Sequence, residues 1–209
     1  MTLSGVLGTL ATVLSIVFIW PQVFRVYAKR SVEGVSAMSQ LQSLFASSLW
    51  FAYGNMLDRW PQIISSFNIG LANFLILALQ WRYQAIRGRI LWPAFAVSIV
   101  LALWFSRISV DLVGAVAMII GGPSIIPQTW RVWRSEHLYG VSVSTHLLLT
   151  AMASAWLAYG IVVRDVYTAG PNVIGVPCAM YITWRAWRSH ERFRTPETVT
   201  ALPDERLAG

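Results

Sequence analysis

Seven stretches of this chain are free of Asp, Glu, Lys and Arg: residues 1–24, 34–57, 60–81, 90–106, 112–130, 138–163 and 166–184. A segment that crosses the roughly 30 Å hydrocarbon core of a bilayer needs about 17–25 apolar residues, and each of these runs is that long. Strands of a membrane barrel alternate and are about half that length, so the runs predict helices. With 12% charged residues against roughly 25% in soluble domains, the chain has too little polar surface to cover a water-soluble fold. The reading is an all-α, seven-span membrane protein, with residues 90–106 the shortest span, tilted or linking. The first run lacks a basic flank and is too long for the apolar core of a cleaved leader.

The charges sit at the ends of the runs. Numbering the loops alternately puts Arg25, Lys29, Arg30, Arg82, Arg87, Arg89, Arg131, Arg134, Arg185, Arg188, Arg192, Arg194 and Arg206 on one side. Only Arg59, Arg107 and Arg164 fall on the other. The basic side is the cytosolic side by the positive-inside rule, which places the N-terminus outside and the C-terminus inside. The net charge of +7 is thereby explained by topology, and a nucleic-acid partner is not expected. Fifteen arginines beside the single Lys29, together with short loops, suggest a high-GC bacterium and an inner membrane. Lys29, read as a loop residue, excludes a buried retinal Schiff base, and the lone Cys178 excludes an internal disulfide framework or a multi-cysteine metal site.

The chain also repeats itself. Shifted by 106 residues, the segment Trp20–Gly54 aligns with Ile126–Gly160 without a gap, and thirteen of 35 positions are identical. The shared residues cluster as PQxxRV, GVS and WxAYG, a pattern that two unrelated apolar spans do not share by chance. Each copy covers three spans, so the chain reads as 3 + 1 + 3: residues 1–85, a linker helix within 86–110, residues 111–188, and a cytosolic tail over 189–209. The single extra span restores the starting side. The copies are therefore parallel and related by an axis along the membrane normal.

PQ at Pro21–Gln22 and Pro127–Gln128, GVS ending at Ser36 and Ser142, WxxYG ending at Gly54 and Gly160, and PNVIG at 171–175 together resemble the PQ-loop superfamily. The 3 + 1 + 3 layout is similar to its SWEET (MtN3/saliva) sugar-transporter branch over about residues 5–85 and 111–188. The resemblance implies facilitative transport of a small neutral sugar, a mono- or disaccharide, by alternating access between two three-helix bundles. It implies no cofactor, and it leaves homo-oligomerisation open. The family holds sugar between a residue of each bundle's second helix and an Asn of its third. These positions fall here on Trp50 and Trp156, and on Asn68 and Asn172, with Asn73 as the fallback in the first copy. Trp50 to Asn68 is 18 residues and Trp156 to Asn172 is 16, which implies a longer outer turn in the first copy. Sugar transporters of this type often carry a proline three residues after each such serine, where this chain has Ser39 and Thr145.

The residues support the same site without the family. At 1.5 Å per helical residue, Trp50, Asn68, Trp156 and Asn172 lie about 10–13 Å below the outer surface, close to the midplane of the bilayer. Indole offers a flat face to sugar C–H groups, and an Asn amide offers one acceptor and two donors to hydroxyls. Pro21 and Pro127 fall late in their spans, where a missing N–H and ring clash bend a helix. They are hinge candidates, with Gln22 and Gln128 placed to satisfy freed backbone groups and Gly121, Gly122 and Pro123 loosening the second copy. The absence of charged residues inside the spans argues for a passive carrier. Asp111 and His146 are the candidate proton or gate groups, His146 more as a bridge between helices than as a relay. The competing readings are a PQ-loop carrier of an amino acid or other metabolite and a non-transporting membrane receptor. Neither a nucleophile–base pair nor a metal cluster appears, so an enzyme is not expected.

Overall fold

The computed structural model describes residues 2–192 apart from Gly34 and Tyr139. Gly34 of the first GVS, and Arg194 and Arg206 of the expected tail, lie outside the described residues. The elements are α1 (Leu3–Lys29), α2 (Ala37–Met56), α3 (Trp60–Arg82), α4 (Gly88–Ser106), α5 (Val110–Gly121), a 3-10 turn (Gly122–Ile125), α6 (Ile126–Arg134), α7 (Val143–Val162) and α8 (Val166–Arg192). The turn joins α5 and α6 into one span, so the order is three spans, α4, and three more. Five of the seven are long and apolar enough to cross a membrane by length and composition alone. The other two, α2 and α8, are the more polar because they carry serines, Thr168 and Asn172 toward the interior.

The motifs turn out to be helix punctuation. The serine of each GVS is an N-cap with the same backbone, φ −72° and ψ 119° at Ser36, φ −71° and ψ 119° at Ser142. Each hydroxyl accepts the N–H three residues on, from Ser39 and from Thr145 at 3.3 Å. A proline at Ser39 or Thr145 would have no N–H for that bond, so the departure from the family pattern exchanges a proline for a capped first turn. At the opposite ends of α2 and α7, Asp58 and Arg164 take positive φ of 51° and 54°. The next N–H closes each turn, Arg59 onto the Gly54 carbonyl at 2.9 Å and Asp165 onto Gly160 at 2.8 Å. These equivalent turns keep the 106-residue register, so the longer outer turn expected in the first copy is not found. The WxAYG glycines allow the close approach that follows. A Cβ on Gly160 would stand 2.7 Å from the Ala169 nitrogen, and one on Gly54 3.1 Å from the Ile63 nitrogen.

Helix α3 packs between α1 and α2, and α8 packs between the α5–α6 span and α7. The halves meet through two matched contacts, α1 against α7 and α2 against α5. The linker α4 leans on α2, with lesser contacts to α3 and α5. Two helices outrun their apolar stretches by five residues or more. The first continues to Lys29, which is therefore helical rather than in a loop. The last continues to Arg192 because the α6–α7 loop rests on it: Arg185 donates to the Ser135 carbonyl at 2.9 Å and Ser189 accepts from Leu138 N–H at 3.1 Å. Trp60, Trp92 and Trp104 are exposed, as anchors in a lipid–water interface are.

Candidate substrate cavity between the two halves

The turns place Arg59 and Asp165, 106 residues apart in sequence, against each other as an ion pair. Gln62 and Thr168, also 106 apart, meet at 3.2 Å. Residues that touch their own repeat counterparts must lie beside a twofold-like axis. In a dimer of identical copies an arginine there would face an arginine. Fused copies can differ, and here the dipeptide Asp58–Arg59 is answered by Arg164–Asp165, its order reversed.

Asp165 is the hub of this contact. It accepts from the Tyr53 hydroxyl at 2.8 Å, the Thr168 hydroxyl at 2.6 Å and the backbone N–H groups of Tyr167 and Thr168 at 3.0 and 3.3 Å. Burial pushes its carboxyl up. The bonds from Thr168 and Tyr53 and the Arg59 guanidinium outweigh burial and hold it below the ordinary carboxylate value. Tyr53 reaches it past Gly114, where a Cβ would stand 2.8 Å from the ring, and Tyr159 passes Gly8, which lies 106 residues before Gly114, at 3.1 Å. On the face of the molecule that carries the N-terminus, the halves are latched together.

Below the latch lies a cavity of about 290 Å³, lined from both halves by Trp50, Trp156, Asn172, Ser43, Ser65 and Ser66 among others. Among the described residues, no charged side chain lines it. The two indoles are held alike: Trp50 stands edge-on to Tyr53 at 5.6 Å and 84°, and Trp156 to Tyr159 at 5.7 Å and 88°. Their N–H groups differ. Trp156 donates to Ser15 at 3.0 Å. The counterpart of Ser15 is Gly121, whose added Cβ would lie 3.6 Å from the Trp50 ring nitrogen, so Trp50 finds no hydroxyl there. Asn172 spends one N–H on the Thr168 carbonyl at 2.9 Å, leaving its oxygen and second N–H.

The structure brings together three of the four residues expected at the site. The fourth, Asn68, is not among the residues lining the cavity: it accepts from Trp20 at 3.4 Å and donates to Ile64 at 2.9 Å. In the unbroken register, Asn172 corresponds to Ser66, which does line it. Asn73, fully buried, supports the wall by donating to Ser43 at 2.9 Å.

The remaining candidates lie away from the cavity. Pro21 is inside an unbroken α1, whereas Pro127 is in the first turn of α6, just after the 3-10 turn. Gln128 does not serve a freed backbone group but sits 2.8 Å from His146 Nε2, while His146 Nδ1 lies 2.9 Å from the Ser142 carbonyl. That carbonyl can only accept, so Nδ1 carries the proton and Nε2 accepts from Gln128. In the first half Gln40 takes the place of His146, its oxygen is buried without a partner, and Gln22 is half-buried. Asp111 is exposed in the first turn of α5 beside Tyr167.

The motifs and identities of the repeat do not single out the pairs 8/114, 59/165, 62/168 and 66/172. The signal was present, since continuing the 106-residue shift past Gly54 reaches most of them. But 59/165 and 62/168 are complementary, not identical, and a search for identity passes over them.

Two parallel three-helix bundles joined by one helix, with PQ dipeptides in register, are the layout that the resemblance to PQ-loop proteins implies. The family description "PQ loop repeat" matches residues 3–64. The chain is SWEET-like. It is 28% identical to "Bidirectional sugar transporter SWEET11" of Oryza sativa subsp. japonica, over 97% of this chain and 69% of that one. It is 23% identical to "Bidirectional sugar transporter SWEET14" of Arabidopsis thaliana, over 94% and 78%. "Bidirectional sugar transporter SWEET15" of Oryza sativa subsp. indica is 26% identical over 87% of this chain and 63% of that one. This chain thus spans about two thirds to three quarters of these relatives. Its fold matches that of a eukaryotic SWEET transporter with a TM-score of 0.75 at 18% identity, over 91% of this chain and all of that one.

Proposed function

We propose that this protein is a facilitative carrier of a small neutral sugar. The observation that carries the reading is the cavity between the halves: two indole faces, serine hydroxyls and the Asn172 amide, with no charged side chain among the described residues that line it. Indole faces suit the C–H side of a sugar ring, and the amide and hydroxyls suit its rim. A volume of about 290 Å³ is at the small end for a ligand site, which favours a single ring. The relatives named above are sugar transporters, in agreement. Passive transport follows from the lining, since a proton-coupled path needs a titratable group on it, and both Asp111 and His146 lie off the cavity.

Trp50, Trp156 and Asn172 hold the sugar, and Ser66 takes the place first given to Asn68. The free N–H of Trp50 makes the first-half indole a donor. The structure is the state closed at the N-terminal face by Tyr53, Arg59 and Asp165. Opening breaks that latch while the second half bends at Gly121–Pro123, beside Pro127 and Gln128. The charge bias sets the latched face outside and the basic face in the cytosol. A bacterial inner membrane fits the arginine excess, whereas the relatives above are plant proteins.

The test is uptake of radiolabelled glucose and sucrose into proteoliposomes at two pH values, for wild type and Asn172→Ala. Saturable glucose uptake that needs no pH gradient and falls in the variant is the expected result. No sugar uptake by a folded protein would overturn the substrate.

A further inference from the structure

A second cavity lies outside the halves' junction. It is a sideways-facing groove of about 810 Å³ between α2, α3 and α4, walled by Phe51, Phe67, Leu71, Ile99 and Leu103. These five side chains are 37–61% exposed, so in a membrane the groove opens into hydrocarbon. Its floor is closed by Phe74 against Phe95, ring centres 4.9 Å apart. From Phe95 to Ser106 the wall of α4 rises about 16 Å, at 1.5 Å per residue. That is the depth of one leaflet, half of the roughly 30 Å core. The far end is polar, with Asn55 and Ser106 at the N-terminal face. Arg107 follows directly, exposed and outside the one salt bridge found among the described residues. The groove therefore grades from closed aromatic floor to polar mouth to free cation, which is the polarity of a phospholipid from tail to phosphate.

Two of its residues do double duty. Ser47 and Ser66 line both this groove and the central cavity, so a single layer of side chains separates them. Gly70 keeps that wall thin, since a Cβ there would stand 3.1 Å from the Ser47 hydroxyl. The second half has Ala153, Asn172 and Val176 at the matching positions, and no second linker helix stands beside it among the described residues.

We propose that the groove between α2, α3 and α4 holds the acyl chain of a phospholipid from the leaflet at the N-terminal face. Its phosphate is set by Arg107, and its tail packs on the back of the cavity wall at Ser47 and Ser66. The linker helix then does more than restore direction, since it builds a lipid site on one half only. The proposal requires the membrane fold and is independent of the solute carried.

The test is photolabelling in vesicles containing phosphatidylglycerol with a diazirine on its acyl chain, with adducts mapped by peptide mass spectrometry. Adducts at Phe51, Ile99 and Leu103 should exceed those at the lipid-exposed Val13 and Val17 of α1 several-fold. Ile99→Trp or Leu103→Trp, either of which fills the groove from its exposed side, should remove that excess without changing α1. Arg107→Glu should lower groove labelling about threefold. Two variants guard against a folding failure in one, with elution as a single species as the criterion. Labelling no higher in the groove than on α1, or an excess that persists in a folded groove-filled variant, would overturn the proposal.

Discussion

The first span of each half carries the same PQ motif but a different backbone. In the first half α1 runs unbroken through Pro21 to Lys29. In the second, the span breaks at Gly122–Ile125 into α5, a 3-10 turn and α6. The proline common to both does not set the difference. The residues before it do: Ser15, Ile16 and Val17 stand where the second half has Gly121, Gly122 and Pro123. Glycine costs a helix about 1 kcal/mol relative to alanine, and an internal proline about 3. On the proposed reading one repeat is the stiff frame, braced by α4, and the other the moving part. The same asymmetry frees Trp50, because the glycine that loosens the second half also removes the hydroxyl that would have satisfied its N–H.

The comparison breaks most decisively at the axis. Asp165→Arg makes the two halves alike there and sets arginine against arginine. Loss of a buried ion-pair partner costs about 3–5 kcal/mol. The variant should lose that much thermal stability and lose uptake, as read by melting in detergent and by proteoliposome flux. Adding Arg59→Asp should recover only part of this, because Asp165 also accepts the backbone N–H groups of Tyr167 and Thr168 at the start of α8.

Inside the cavity the halves differ at 66 and 172. Asn172→Ala removes bonds worth about 1–1.5 kcal/mol to a neutral hydroxyl, close to tenfold in apparent affinity. Ser66→Ala should cost less, and Asn68→Ala least of all. Concentration dependence of glucose uptake reads all three, and a larger effect at Asn68 than at Ser66 would return the first-half site to the residue expected from sequence.

The hinge sharpens the contrast further. Gly122→Ile with Pro123→Val gives the second half the residues of the first at these two positions, and the uptake rate should fall several-fold with little change in half-saturation. Pro21→Ala should change the rate less than Pro127→Ala.

The smallest effect is that of pH. The Asp165 carboxyl is held low, so the latch gains its stabilisation above the ordinary carboxylate value and loses it as pH falls through the lowered one. Uptake should be flat from pH 5 to 8 for this group, and Asp165→Asn should remove any loosening seen in stronger acid.

Much of the architecture was legible because it rests on quantities a sequence displays directly. Charge-free run length gives the spans, and identity at a fixed shift gives the repeat. The GVS and WxAYG motifs are visible as motifs, and the structure shows that they are a cap and a close helix approach. Trp50, Trp156 and Asn172 are carried over from the resemblance, and the depth arithmetic agrees with them as it does with Asn68. Asn68 misleads because its spacing from Trp50 implies a register slip at the turn, whereas the turn at Asp58 is the same as that at Arg164. The latch is invisible for a deeper reason. Near a twofold-like axis, what stabilises the contact is complementarity between counterparts, as with Arg59 and Asp165, so the residues that matter most there are those that do not match.

The most direct test of this account is a reversible lock at the axis. With Cys178→Ser as background, Gln62→Cys and Thr168→Cys put thiols at two counterpart positions whose native side chains meet across the axis, and keep both Arg59 and Asp165. The account predicts that oxidation cross-links the pair and stops glucose uptake into proteoliposomes, and that reduction restores it. Complete cross-linking with unchanged uptake would contradict it, because the halves would then not need to part at this face.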